Sequence, residues 1–535
     1  MAVSVTKNLT DLWNSESTTG WTGISTTLYS GFNREGSNCE GFSVSNTTSH
    51  GYRSFTAIDF TAAASGCIYI WMVSYGQIDT FANGGIRIVV GDGTNRAAYY
   101  VGGSDYLPFG VNGWYCFMLD PNNLPTNFAT LAGTESSIDW TSITDIGIGF
   151  KTLSKALGGA DNCFVDMARY GTGITIGGGG SGTEGTFLEV ANDDASTASG
   201  KAYGIIREIQ PGVYGIQGQV EFGDSGTGNS YFLDKDAIVI FEDNGAGDSF
   251  YKFSLVANST GTNSFVLGVK QGTGDTALGA NGVTIQSSGP GVTFDLDATN
   301  FNTVNMYGGK LYNINDSINL STNTAHEFIG VTVDQSTQVV ANQCVIRNCT
   351  FSGHSGTDAA LLWNSTINIK YCAFNGNSDA TNNPAGIEHT ATGVTVSYVG
   401  LTFSGNDNDV YISATSGTLT INASEGSNVS DTNYRAEGTA TLTVNNTVNV
   451  TLSPLVNNTE VRIYDHTTSN PQTELDGIEN TSTGSFSFSL NAGTAVDIVI
   501  MHKEYVEIRT NNYIVPTSTT TIPINQQIDR NYNNP

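Results

Sequence analysis

Short strand-like triplets, each closed by Gly or Asn, return through the middle third of the chain. The clearest copies are Gly309-Lys310-Leu311, Gly330-Val331-Thr332-Val333, Cys349-Thr350-Phe351-Ser352-Gly353, Cys372-Ala373-Phe374-Asn375-Gly376-Asn377 and Leu401-Thr402-Phe403-Ser404-Gly405-Asn406. From Leu311 through Val333, Phe351 and Phe374 to Phe403 the steps are 22, 18, 23 and 29 residues, close to the roughly 20 to 29 residues that one coil of a solenoid needs. A unit this short has no core of its own, so it must stack on its neighbours.

Within the copies, apolar and hydroxyl residues alternate with period two, as in Thr439-Ala440-Thr441-Leu442-Thr443-Val444. This is the pattern of half-buried strands, with Gly and Asn at corners where φ turns positive. A β-sandwich with long strands would alternate too. Here, however, the copied unit is a triplet plus its turn, which favours a parallel β-helix, right-handed, over residues 289–450. Inward positions are then Val304, Leu311, Val345, Phe351, Ile367, Phe374, Val394 and Phe403.

Composition enters as a test of class. Only 13% of the 535 residues are charged, against an ordinary value of about 25%, and Thr, Ser, Val, Ile and Gly outweigh the helix formers. An all-β chain follows. The formal charge of −28, with 21 Lys and Arg spread thinly, excludes a phosphate-tracking nucleic-acid binder. It leaves hydroxyl-rich ligands such as glycans open. The start lacks a basic region followed by an apolar run, and no window approaches the length of a membrane span, so neither a secretory leader nor membrane insertion is expected. Seven cysteines without metal spacing read as reduced core residues, with Cys349 and Cys372 at equivalent places in adjacent coils.

Residues 1–176 carry about eight alternating strands parted by Gly, Asn and Asp turns. The opening Asp11-Leu12-Trp13 with Gly20-Trp21, the later Ile146-Gly147-Ile148-Gly149-Phe150, and the closing Asn162-Cys163-Phe164-Val165-Asp166 together resemble concanavalin-like and carbohydrate-binding-module sandwiches of jelly-roll form. That resemblance implies aromatic rings stacked on sugar, with Trp13, Trp21 and Trp140 as the candidates. It also implies that Asp166 would serve a structural calcium. No other cofactor is expected.

Residues 171–185, Gly-Thr-Gly-Ile-Thr-Ile-Gly-Gly-Gly-Gly-Ser-Gly-Thr-Glu-Gly, lack the Lys-Ser/Thr pair of a phosphate loop and read as a flexible joint. Residues 177–288 then form a strand-rich entry that caps the solenoid. Over residues 451–535, strands at sandwich spacing resemble a small immunoglobulin-like or transthyretin-like β-sandwich. Its polar tail is a candidate arm toward a neighbouring subunit.

Pectate-lyase-like and tailspike-like β-helices cleave polysaccharides, but that chemistry needs paired carboxylates or a metal cluster with a basic residue. Asp334 with Asp358, or Asp407 with Asp409, are the pairs available, and Gly353-His354-Ser355-Gly356 lacks the companion motifs of polygalacturonases. No catalytic residue is assigned. The domain order resembles structural proteins of tailed bacteriophages. This implies a non-enzymatic virion component, made in the host cytoplasm and displayed as a fibre, spike or capsid decoration. Its partners would be other virion proteins, copies of itself (a trimer) and a host-surface glycan. The rival readings are a tailspike-type depolymerase and a cellular surface adhesin.

Overall fold

The computed structural model describes residues 4–24, 26–30, 33, 36–42, 48–61, 66–74, 81–102, 114–152, 163–177, 186–191, 203–223, 230–231, 234–242, 250–256, 263–297, 301–363, 368–468, 471–516 and 519–530. The chain is all-β and is built of several sheets. The one α-helix among the described residues is Phe187–Ala191, and no helix is long and apolar enough to cross a membrane. Two compact units divide it. One comprises Met1–Gly272 with Leu278–Val339, and the other comprises Thr273–Ala277 with Val340–Pro535.

Among the described residues the first unit opens with eleven strands: β1 (Ser4–Trp13), β2 (Thr26–Ser30), β3 (Asn38–Phe42), β4 (Ser49–Ile58), β5 (Cys67–Ser74), β6 (Phe81–Gly91), β7 (Arg96–Gly102), β8 (Tyr115–Leu119), β9 (Phe128–Ala132), β10 (Ile143–Thr152) and β11 (Cys163–Gly177). β11 pairs antiparallel with β1, β3 and β5, while β3 also takes β2 and β5 also takes β8. A separate antiparallel sheet has the order β4-β10-β6-β7-β9. The two sheets share one core, to which Trp13, Phe42, Ile70 and Phe117 come from the first and Ile88, Tyr99, Ile148 and Phe150 from the second. Alternation explains this. Every second residue of Ile146-Gly-Ile-Gly-Phe150 is apolar and points inward.

β11 does not stop at the sandwich. Its residues Gly173–Ile176 pair in parallel with Gln219–Phe222, and from there the chain visits three parallel sheets in rotation. The first continues through Tyr251–Leu255, Val292–Asp295 and Ser317–Asn319. The second runs from Val213–Ile216 through Ile238–Phe241, Thr284–Ser287 and Lys310–Tyr312 to Thr332–Asp334. The third runs through Asn263–Leu267, Phe301–Tyr307 and Glu327–Ile329. Parallel pairing thus begins well before residue 289, at Gly173–Ile176 and Val213–Ile216, while Ile206–Gln210 pairs antiparallel with Val213–Ile216. Steps of 33, 41 and 24 residues between Val220, Phe253, Phe294 and Ile318 hide the repeat, because long turns and the hairpin of Val269–Gln271 with Leu278–Ala280 interrupt it.

The flexible joint expected at residues 171–185 is corrected in its described part, because residues 171–177 are strand; residues 178–185 lie outside the described residues. The glycines there serve close approach. A Cβ on Gly171 would fall 2.2 Å from the Asn8 carbonyl oxygen, and one on Gly173 would fall 2.0 Å from that of Gln219.

The second unit has the same rotation. Ala359–Trp363, Ala385–His389, Asn408–Ile412 and Tyr434–Ala436 stack in one parallel sheet. Thr350–Ser352, Ala373–Asn375 and Thr402–Ser404 form the next, and Val345–Arg347, Asn368–Lys370, Thr395–Val399, Thr418–Ser424 and Thr441–Ser453 the third. Phe351, Phe374 and Phe403 stack at 5.0 and 5.2 Å. Beside them Asn377, Asn406 and Asn428 hydrogen-bond the backbone of neighbouring rungs. Two inward assignments are corrected. Val394 is 43% exposed, and at Val345 it is the next residue, Ile346, that is buried. Ile367 lies outside the described residues.

Thr441–Ser453 repeats the device of β11. Its first half pairs in parallel with Thr418–Ala423, and its second half pairs antiparallel with Phe486–Asn491 and parallel with Thr520–Pro523. Opposite lies the sheet Glu474–Ile478, Glu460–Asp465, Ala495–His502 and Tyr505–Ile514, and Val450, Phe488, Ile463 and Ile498 meet in the core between them. The arm expected at the end is corrected through residue 530. The Ile524 N–H donates to Ser453, the Gln526 side chain accepts from Val456, and Asp529 donates to Glu504, so the tail satisfies its own domain.

Candidate functional site

The face of the five-stranded sheet opposite the core is set by the same alternation. Since Ile146, Ile148 and Phe150 point inward, Asp145, Gly147 and Gly149 lie on the other side. Register then builds three rows across the strands: His50–Gly149–Arg87–Tyr100, Tyr52–Gly147–Val89–Ala98 and Ser54–Asp145–Gly91–Arg96. Gly149 and Gly147 stand on β10 in the first two rows and Gly91 on β6, the centre strand, in the third, and neighbouring side chains lie over this floor, so that the three glycines, Val89 and Ala98 are all buried.

Those side chains form two guanidinium–aromatic pairs. Arg96 lies over the Tyr52 ring at 3.7 Å and Arg87 over the Tyr100 ring at 4.1 Å, the geometry in which a cation meets the negative face of a π system. Arg96 also pairs with Asp145, whose other oxygen accepts from Ser54 at 2.8 Å. Arg87 lies 3.2 Å from the His50 ring nitrogen. Burial, with the neighbouring Arg87 charge, holds His50 down at about 4, so at neutral pH its imidazole is uncharged and serves as a hydrogen-bonding group. A Cβ on Gly149 would meet His50 Cδ2 at 2.4 Å, so the glycine is what lets this ring lie down.

Such a face offers planar rings, fixed donors and one carboxylate. Asp145 is the only Asp or Glu in the five strands, and it is buried and held. Two carboxylates flanking a bond, as glycoside hydrolysis requires, are not assembled there.

The residues singled out by sequence lie elsewhere. Trp13 is 5% exposed, with Phe55 stacked on it at 6.2 Å and Trp21 edge-on at 5.4 Å, which leaves no open ring face for a sugar. Trp21 is half-buried; its indole N–H donates to the buried Glu40 at 3.0 Å, and the Arg53 guanidinium lies over its ring at 5.2 Å. Trp140 is half-buried beside Tyr99 at 6.2 Å. Asp166 is fully buried, where the β5–β11 register slips between Val165 and Ala168. Among the described residues no group of three His, Cys, Asp or Glu could hold a metal ion. The acidic pairs are structural as well. Asp407 accepts from the Asp379 N–H, Asp409 accepts from Ser430 and Asn433, and Asp334 pairs with Lys310. His354 is buried, with its N–H donated to Asn377 and its ring against Asp358.

His50, Tyr52, Arg87, Arg96 and Tyr100 were missed because none forms a motif in sequence. The signal was Gly147 and Gly149 in alternation with apolar residues, which marks a glycine floor on the face away from the core.

No protein-family model matches the sequence, and no curated protein matches it. Among solved structures, the family 11 carbohydrate-binding module from Clostridium thermocellum in complex with a β-1,3-1,4-mixed-linked tetrasaccharide is similar at 13% identity and a TM-score of 0.23, covering 32% of this chain and 96% of that one. The family 11 module of a cellulosomal cellulase of the same organism is similar at 12% identity and a TM-score of 0.22, covering 30% and 93%.

Proposed function

We propose that this protein binds a glycan without cleaving it, on the outer face of the five-stranded sheet, and that its parallel rungs serve as a spacer for that face. The observation that carries the reading is the glycine floor of Gly147 and Gly149 on β10 overlaid by side chains of the Tyr52–Arg96 and Tyr100–Arg87 pairs. β4 and β7 are three strand spacings apart, about 14 Å, which suits an oligosaccharide lying across the strands better than a single sugar. Rings held by guanidinium groups lose little freedom when a pyranose stacks on them, which lowers the cost of binding.

In this reading the N-terminal sandwich is a jelly roll, the three-sheet rotation is a right-handed parallel β-helix and the C-terminal sandwich is immunoglobulin-like. The protein is a displayed structural component of a tailed-phage virion, and several copies on one particle turn weak sugar contacts into avidity. Support comes from the division of labour. The face that gathers Tyr52, Tyr100, Arg87 and Arg96 is in the sandwich, whereas the solenoid acids Asp334, Asp407 and Asp409 are engaged in folding.

Titration of the full chain against a panel of soluble polysaccharides tests the binding claim. Tyr52→Ala and Tyr100→Ala should each weaken binding at least tenfold while Trp140→Ala leaves it within twofold. Undiminished binding by both tyrosine variants would place the site elsewhere. Release of reducing ends or unsaturated products would overturn the non-enzymatic part. Particles that take no label from an antibody to the N-terminal sandwich would overturn the virion part.

A further inference from the structure

We propose that Cys349 and Cys372 form an oxidisable dithiol that can staple two successive rungs of the second unit. The register Thr350↔Ala373 sets the two cysteines opposite one another, and the Cys349 N–H donates to the Cys372 sulfur at 3.4 Å. Their thiols have matching surroundings. Cys349 donates to the Arg347 carbonyl at 3.2 Å and Cys372 to the Lys370 carbonyl at 3.3 Å. Facing residues on adjacent strands lie about 4.8 Å apart, inside the roughly 4.4–6.8 Å between Cα atoms that a disulfide spans. The other five cysteines lack this arrangement. In the described registers Cys39 faces Tyr29, Cys116 faces Trp71, and Cys163 faces Phe42 and Ser74, and neither Cys67 nor Cys344 is set opposite a second cysteine.

The oxidant is a small-molecule disulfide. The thiolate of one cysteine attacks it, forming a mixed disulfide and expelling one small thiolate. The second cysteine, after losing its proton, attacks the protein sulfur of that mixed disulfide and expels the other. Two protein thiols lose two protons and two electrons, and the oxidant becomes two thiols. Both cysteines are 1% exposed and burial holds the Cys372 thiol far above its ordinary range, so exchange is slow and follows transient opening of the rungs. A chain kept in a reducing compartment stays open at this pair, and one held in an oxidising medium becomes cross-linked. This inference is independent of the glycan reading.

The full chain is incubated with oxidised glutathione at pH 8, unfolded in an alkylating denaturant and digested with trypsin. Cleavage after Arg347 and Lys370 places Cys344, Cys349 and Cys372 on three separate peptides. The expected result is five alkylated cysteines out of seven, one cross-link joining the peptides of Cys349 and Cys372, and a higher thermal midpoint for the oxidised form. Cys349→Ser should abolish the cross-link and leave all six remaining thiols alkylated. Seven alkylated cysteines after the incubation, a link through any other cysteine, or an unchanged midpoint in the cross-linked form would overturn the proposal.

Discussion

Replacing Asn377 by Ala tests whether side chains bind one rung of the second unit to the next. Asn377 is fully buried. Its Oδ1 accepts the His354 N–H at 3.0 Å, and its Nδ2 donates to the Phe351 carbonyl at 3.3 Å and to Asn406 Oδ1 at 2.9 Å. Asn406 Oδ1 keeps the Asn377 backbone N–H in the variant, so the main loss is at His354, itself 3% exposed, whose N–H is left without an acceptor and beyond the reach of water. An orphaned buried donor costs about 1–3 kcal/mol, and the lost hydrogen bond to the Phe351 carbonyl about 1 more, giving roughly 2–4 kcal/mol in all. Asn428 makes the same kind of bond, accepting from Phe403 N–H at 2.7 Å and donating to its carbonyl at 3.0 Å, but it is exposed. Water replaces it, and Asn428→Ala should cost about 1 kcal/mol or less. Hydrogen exchange read by mass spectrometry over residues 350–377 is the assay, since it reports local opening without requiring the whole chain to unfold in one step. Asn377→Ala should speed exchange there about thirty- to thousand-fold. Asn377→Asp should do no better, because a carboxylate cannot donate to the two oxygens it would face. A change under tenfold for Asn377→Ala, or an equal effect from Asn428→Ala, would refute the claim that buried side-chain ladders hold the rungs.

Two further outcomes follow from the same packing. His389 is buried with its Nε2 2.7 Å from the Tyr398 hydroxyl, and burial holds it down at about 3; below its ordinary 6.5 the unfolded chain binds a proton that the native chain refuses. Its contribution to stability is therefore complete above about pH 6.5 and lost as pH falls toward about 3, and a pH series of urea midpoints for the second unit should lose slope over that window in His389→Gln; an unchanged slope would count against the assignment. Gly173→Ala, whose Cβ would fall 2.0 Å from a backbone oxygen at φ +156°, should cost about 2–4 kcal/mol, whereas Gly212→Ala, at φ +77° with nothing within 4 Å, should cost about 1 kcal/mol. Equal urea midpoints for the two variants would show that close approach at Gly173 is not what requires glycine.

The parallel rungs were legible where turns are short and copied. The triplets at Phe351, Phe374 and Phe403 keep their following Gly and Asn or His, and these are the residues that form the aromatic and amide ladders. Between Val220 and Phe294 the same parallel pairing is present but unreadable, because stacked parallel strands fix their register and leave turn length free. The proposed binding face was harder to see. Its five side chains come from β4, β6 and β7 and meet only through register, whereas the tryptophans that looked available are drawn inward by their large apolar area. A half-buried tyrosine beside an arginine carries no local mark, and only the alternate glycines of β10 betray a floor.

Glycine runs usually suggest freedom, and at residues 171–177 that inference fails for a physical reason that extends to the other end of the chain. β11 is 15 residues long and Thr441–Ser453 is 13, far beyond the three-residue rungs, because each serves two sheets in succession. A strand shared in this way joins a sandwich to a parallel stack by continuous backbone hydrogen bonds in place of a linker. Bending there would break ladder bonds on both sides, so the junction has the cost of unfolding and not that of a hinge. In β11 this requires glycine at the points where Asn8 and Gln219 close in, and in Thr441–Ser453 it requires the polar Thr and Asn alternation that suits both partners. The proposed binding face on β4, β6, β7 and β10 is thereby tied through one core and one strand to the first parallel strands. That is the mechanical property a displayed recognition surface needs, because a face held at fixed orientation does not spend binding free energy on being ordered when it meets its ligand.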